Sequence, residues 1–502
     1  MKKLAKIMAL SLAGISVFSM ASCADLKDKY GNDGKTTNTI ELIINENATT
    51  TVIFSYLAAG FGEDPYYAVA NAYMEKHPDV QIQPYSNAEI DAALNLYMVP
   101  GSSEGLADIY SYRWETTLKN WIGQGLVEPL DDLMVKDTGD GRTMRESMTD
   151  AAAAAISVGD SIYAVPEYTS VTGFVYNIDL FEQYGWQIPN TTKELEALCN
   201  QILSDTNGEV TPITWCQDAD GYLYHAAENW VSQREGIANM QKFYAMESAE
   251  VYANQDNDVG SLYTSKKMAL EGIAKFFDPD SSWCYDNSST AYFKDAQRSV
   301  IKGECAMMIN GSWFENEMYK ELNENTGTYK GTKIGMFAVP ELCDSNGIVS
   351  HADGYQTVDN KRVLTSSFGA YYFIPANAPN KEAAKDFLLF LNSEEGCSVY
   401  TEHSNAIRPF VYDYSVESEI YNKANAFGKS VLKMASENHL YSPIYTSPLI
   451  KAGKGKLWVR DNALFISLVA DKNSRESVYQ VMQNEYTVAV AQWSKWWQEA
   501  TA

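Results

Sequence analysis

Basic residues are what this 502-residue chain has too few of: 39 Lys and Arg stand against 65 Asp and Glu, a formal charge of −26. A nucleic-acid binder needs a phosphate-neutralising basic face, so that class is excluded and an acidic, soluble surface is expected. Histidine is also scarce. Its five residues, at 77, 225, 351, 403 and 439, form no HExxH motif and no ligand pair. A phosphate-cradling glycine loop is missing. One G-x-S-x-G string occurs, Gly101-Ser102-Ser103-Glu104-Gly105, but it precedes an expected strand, whereas a nucleophile elbow follows one. Seven cysteines include no CxxC and none near histidine at metal-ligand spacing. Cys199 and Cys305 lie in apolar periodic segments and read as small core residues. Neither a metal nor a cofactor is expected. After the first 20 residues no apolar run is long enough to span a bilayer.

What is present begins with size: 45% hydrophobic residues over 502 positions support a large core and two domains or more. The N-terminus carries Lys2, Lys3 and Lys6, then the apolar run Ile7–Met20 and Met20-Ala21-Ser22-Cys23. This is the layout of a secretory signal, 1–22, and the cysteine after two small residues resembles a bacterial lipobox. Cys23 is therefore expected to become the acylated first residue of the mature chain. Residues 23–38 are polar and glycine-punctuated, as a tether would be.

Along the chain, Ile40–Ile44 and Val52–Tyr56 read as strands. Asp64 is expected to cap a helix with Pro65 at its first position, His77-Pro78 to end it, and Val80–Ile82 to start another strand. That is a β-α-β unit, and parallel sheets place ligands at strand carboxyl ends. A helix over Ala88–Tyr97 and a strand over Ala107–Tyr110 follow, which puts Tyr112, Arg113, Trp114 and Glu115 at such an end. Trp114 reads equally well as a packing residue. Ile213–Trp215 and Glu304–Ile309 are further strands. The latter closes on Asn310-Gly311-Ser312, setting the Trp313 indole at a strand end. Ile334–Pro340 reads as a crossing between two regions, and Phe368–Ile374 as a return to the first. Helix Lys381–Leu391 buries Ala383, Ala384, Phe387, Leu388 and Leu391, and Trp493, Trp496 and Trp497 face the core of a final helix over Ser474–Trp497.

The stretch Tyr163–Ile202 joins the two regions. A strand ends at Pro166 and a loop carries Glu167 and Tyr168. A β-rich Phe174–Tyr176 follows, then a helix, Ile178–Tyr184, which stops at Gly185. Thr191 and Glu194 form an expected capping box for a second helix. The order P-E-Y…G-F-V-Y-N-I-D-L-F…G-W-Q-I-P-N-T-x-K-E-L resembles the extracellular solute-binding proteins of bacterial ABC importers, the family that includes maltose-binding protein. The likeness returns at Lys302–Trp313, Ile334–Pro340 and Ser367–Leu391.

The resemblance implies an α/β fold of two Rossmann-like lobes with a multi-crossing hinge, of the periplasmic-binding-protein type II kind. The lobes are expected at 39–165 plus 341–404 and at 166–340 plus 405–502. It implies a monomeric receptor, lipid-anchored on the outer face of the cytoplasmic membrane, that captures a small solute and hands it to ABC permease subunits. Aromatics favour an oligosaccharide: there are 33 Tyr and 11 Trp, many in expected loops, and sugar C–H faces stack on such rings while carboxylates take the hydroxyls. The expected contacts are Trp313, Glu167 and Tyr168, then Tyr112, Trp114 and Glu115, then Trp215, Asp218 and Tyr222, and last Tyr371 and Arg408. Two alternatives stay open, a non-sugar solute and a surface glycan-degrading enzyme using Glu167 with a second carboxylate.

Overall fold

The computed structural model describes residues 39–501 apart from 58–59, 114–115, 220, 254–261, 287, 323–328, 357–358, 444–446, 452–453, 460–462 and 470–474. The expected signal segment, tether and Cys23 lie outside the described residues, as do Trp114 and Glu115.

Alternation organises the first strand. β1 (Thr50–Tyr56) turns Val52, Phe54 and Tyr56 into the core. It pairs in parallel with β2 (Val80–Ser86) and β3 (Ile109–Tyr112). Helix Asp64–Lys76 makes the crossover between β1 and β2 and buries Tyr66, Val69, Ala70 and Tyr73. Its cap position is Glu63 rather than Asp64. The Asp64 carboxylate instead accepts from the Thr39 amide and hydroxyl at 2.7 and 2.6 Å, stitching down the incoming chain. Ile40–Ile44, expected as a strand, joins no ladder, because side chains occupy its amides: Ile43 N–H bonds Asn71 Oδ1, and the following Asn45 N–H bonds Gln81 Oε1.

A two-stranded hairpin of β4 (Ser157–Val158) and β5 (Ser161–Ile162) precedes β6 (Val165–Pro166). The chain then leaves for the second sheet through β7 (Thr169–Asn177), β8 (Thr211–Thr214), β9 (Cys305–Gly311), β10 (Ile334–Phe337) and β11 (Val363–Phe368). It returns in β12 (Tyr371–Phe373) and adds β13 (His439–Tyr441) to the second sheet. The sheet orders are β2-β1-β3-β12-β6 and β13-β11-β7-β9-β8, with β10 alongside β7. Strand β7 runs well beyond the expected Phe174–Tyr176, since it lies between neighbours on both edges and is buried almost throughout. Helix Thr192–Asp205 starts as expected with the Thr191 hydroxyl on the Glu194 amide, but Glu194 reaches back to the Asn190 amide, one residue earlier than a capping box places it.

Three expectations about the crossings are corrected. Ile334–Pro340 is no crossing, because β10 hydrogen-bonds antiparallel to β7 within one sheet. Residues 341–368 stay with the second lobe: Leu342 and Val363 belong to its core and β11 pairs β7. The return falls at Gly369-Ala370. Likewise Ala406, Phe410 and Tyr412 still pack in the first core, so the last departure comes after residue 412 rather than at 405. The result is two α/β lobes, each with its own sheet and hydrophobic core, joined by three crossings. The last helix, Val478–Thr501, lays Trp493 and Trp496 on the second core and leaves Trp497 40% exposed.

Candidate functional site

Glu167 and Tyr168 are neighbours in the first crossing with opposite surroundings. Glu167 is fully buried. Its carboxylate accepts from the hydroxyls of Tyr66 at 2.6 Å and Tyr400 at 2.8 Å, and from that of Ser111. Burial first, and then the charge of Glu167, holds the Tyr66 and Tyr400 hydroxyls well above their ordinary pKa, so both stay donors. The Glu167 amide bonds Ala370 O in the second crossing at 2.8 Å, and its main-chain carbonyl accepts from the Arg408 guanidinium, on the first-lobe segment that leads to the third. Arg408 is 1% exposed, also donates to Asn392 Oδ1, and sits among the rings of Tyr372, Tyr400 and Phe410 at 5.1 to 5.4 Å. A buried carboxylate is tolerable only when hydrogen-bonded, and this one is bonded on all sides. Glu167 and Arg408, expected as solute contacts, are hinge anchors on the first lobe.

Tyr168 points the other way. Its half-buried ring meets Phe61 edge-on at 4.6 Å and covers Gly369 of the second crossing, where a Cβ would fall 2.1 Å from the ring. Only glycine fits there. Trp313 follows β9 of the second lobe, yet it packs against the first lobe's core and against Gly60. The Tyr222 ring lies 6.2 Å and the His225 ring 5.9 Å from Trp313. Rings from both lobes and from the hinge thus gather around residues 60 and 61: Phe61 meets Tyr168, and the adjacent Gly60 meets Trp313, which lies beside Tyr222.

The other expected residues divide. Tyr371 is buried beside Phe368 at 6.4 Å and pairs in register with Tyr112. The Tyr112 hydroxyl donates to Asp91 at 2.6 Å, and Arg113 grips the same carboxylate at 2.8 and 2.9 Å. Asp91 is held below the usual carboxylate range, mainly by the Tyr112 hydroxyl and then by Arg113. Trp215 is a correction: at 1% exposure its ring fills the second core instead of facing a cleft. Asp218 is exposed on the turn before helix Gly221–Tyr244.

Helical spacing marks two further residues of the cluster. His225 lies three residues after Tyr222, and burial pushes its imidazole down to about 4. Glu317 lies four residues after Trp313. Burial raises its carboxyl, against the pull of the Gln297 amide, which donates to it at 2.7 Å. Among the described residues no group of three or more His, Cys, Asp or Glu is placed to hold a metal. A cavity of about 570 Å³ opens between the lobes beside Phe61, with Glu63 and Asn405 on one wall and Glu315 and Tyr319 on the other. A larger one, about 800 Å³, is lined by Tyr176, Tyr355 and Arg362 of the second lobe and touches none of these rings.

Two lobes, three crossings and an aromatic interlobe surface are what a solute receptor needs, and a model of the bacterial extracellular solute-binding proteins matches residues 59–396. The chain belongs to that family. An uncharacterised ABC transporter extracellular-binding protein of Pyrococcus horikoshii is 22% identical over 365 residues, 71% of each chain. Among solved structures, RafE in complex with raffinose aligns with a TM-score of 0.58 at 15% identity, over 88% of this chain and 100% of its own. The GacH receptor of Streptomyces glaucescens, whose structures include a complex with acarbose, aligns at 0.57 and 17% identity, over 88% and 98%. At these identities the likeness is one of fold. This solute-binding protein has the two-lobed architecture of those receptors, and its hinge runs through Glu167, Ala370 and Arg408.

Proposed function

We propose that this solute-binding protein captures a neutral carbohydrate, an oligosaccharide, between its lobes and delivers it to an ABC permease while anchored to the membrane through Cys23. The observation that carries the reading is the aromatic surface contributed from both sides, with Phe61 and Tyr168 at the first lobe and Trp313 and Tyr222 at the second. Flat rings suit the C–H faces of sugar rings. Charge supports the same reading. Of the two arginines that an anionic solute would seek, Arg408 is buried in the hinge and Arg113 is paired with Asp91. The raffinose and acarbose complexes of the structural neighbours agree with a sugar.

The moving units in this reading are the first lobe, 39–166 with 370–412, and the second, 169–368 with the segment after 412. A solute that touches both stabilises the shut arrangement, and the population shifts toward it. The permease then reads the shut form. A thermal-shift panel of neutral oligosaccharides, sugar acids and peptides tests the reading, because a bound solute stabilises the folded state. Stabilisation by a neutral oligosaccharide supports it, stabilisation by peptides or acids alone removes it, and release of sugar products by the purified protein makes it a hydrolase. Cys23→Ser tests the anchor: the variant should leave the membrane fraction.

A further inference from the structure

Two glycines in the loop after β1 are glycine for opposite reasons. Gly62 has φ +76° and nothing within 4 Å of the place a Cβ would occupy, so the backbone demands it. Gly60 has an ordinary φ, yet a Cβ there would lie 2.9 Å from Trp313 Cβ, 3.3 Å from its Cγ and 3.4 Å from Glu317 Oε1. All three atoms belong to the other lobe.

We propose that the missing side chain at residue 60 is a steric requirement of lobe closure, so that side-chain size at this position sets the population of the shut state and, through it, solute affinity. The proposal rests on the reading of this protein as a receptor whose lobes open and shut. Trp313 cannot step aside. Its Cβ is one bond from the main chain just after β9, and its indole is confined by Gly311, where a Cβ would fall 2.2 Å from the ring, and by the neighbouring Tyr222 and His225 rings. An alanine methyl at 60 needs roughly 1 Å more room to reach ordinary carbon–carbon contact, and a valine needs more. Hinge rotation supplies that room more easily than either lobe's packed interior does. The penalty therefore falls on the shut state alone, while the open state keeps its energy. Apparent affinity drops by the factor by which the shut population drops.

The test needs no solute. Glu402, exposed on the first lobe at the interlobe cavity of about 570 Å³, is changed to Cys and spin-labelled in a Cys23→Ser, Cys343→Ser background. Paramagnetic broadening is then read at the methyl of Met318, whose neighbour Tyr319 lines the same cavity from the second lobe, because this readout senses minor shut states. Broadening is expected in the parent protein, several-fold less in Gly60→Ala and none in Gly60→Val, all with unchanged melting temperature. Gly62→Ala should lower the melting temperature and keep the broadening. Adding Trp313→Gly to Gly60→Ala removes the opposing atoms and should restore it. A folded Gly60→Val variant broadened like its parent, or a parent with no broadening, overturns the proposal. A failure to bind any sugar would count against the proposed function and leave these distances standing.

Discussion

The hinge node at Glu167 and the ring cluster at Trp313 draw on the same residue types, acids and aromatics, for opposite purposes. At the node the carboxylate meets three hydroxyls and its own carbonyl meets a guanidinium, all under the first lobe's core. In the cluster Tyr168, Trp313 and Tyr222 stay half-buried, beside a buried Phe61, and come from two bodies that touch there. The difference is one of commitment. A group whose hydrogen-bonding capacity is filled inside one lobe fixes the pivot, and a surface shared between lobes is free to receive a guest. Glu167, Ala370 and Arg408 tie the first two crossings to the first-lobe segment that leads into the third, all on the first lobe's side.

Removing the node's charge should have the largest effect. Glu167→Ala leaves two buried tyrosine hydroxyls and a serine without their acceptor, and a loss of about 3–5 kcal/mol in denaturant-induced unfolding is expected. A variant that unfolds like its parent but no longer takes sugar would erase the contrast and return Glu167 to the solute. Next comes the cluster. Trp313→Ala should weaken sugar binding by about 2 kcal/mol, some thirtyfold in Kd by calorimetry, with less harm to stability than Glu167→Ala.

Helix Gly221–Tyr244 offers a finer contrast, in pH. Burial, opposed by the Tyr224 and Tyr244 hydroxyls, raises the Glu228 carboxyl to about 7. The folded state then keeps a proton that the unfolded chain gives up above about 4.5, so this group's contribution is present below 4.5 and is lost as pH rises through 7. Glu228→Gln should therefore gain about 1–2 kcal/mol on its parent at pH 8 and nothing at pH 4. His225, pushed down to about 4, behaves inversely. The unfolded chain takes up a proton below about 6.5, and stability falls as pH drops from there toward 4. His225→Gln should flatten that acid limb. The smallest effect belongs to Arg113→Gln. Its ion pair with Asp91 is about half exposed on both sides, so stability should change by less than about 0.5 kcal/mol and binding of a neutral sugar hardly at all. A collapse of binding in that variant would mark an anionic solute.

Much of this contrast was hidden from a linear reading, for a physical reason. Local signals came through: the stop at Gly185, the Thr191 cap, the β-α-β start and the placement of Trp313 past a strand. Family motifs carried the two-lobed architecture. What failed was non-local. The hydroxyls that consume Glu167 stand 101, 56 and 233 residues away, so nothing near Pro166 tells a ligand acceptor from a hinge anchor. Trp215 looked like Trp313, since each stands at the carboxyl end of an expected strand, and only packing against the second core separates them. Ile40–Ile44 had strand composition, but the Asn71 and Gln81 side chains took the amides a ladder would have used.

Calorimetric titration of the parent and Trp313→Ala proteins with the neutral oligosaccharide that best stabilises the parent tests the central claim most directly. A Kd weakened some thirtyfold in a variant that still melts cooperatively is the expected result. Equal affinity in the two proteins would contradict it, and would move the solute away from the surface the lobes share.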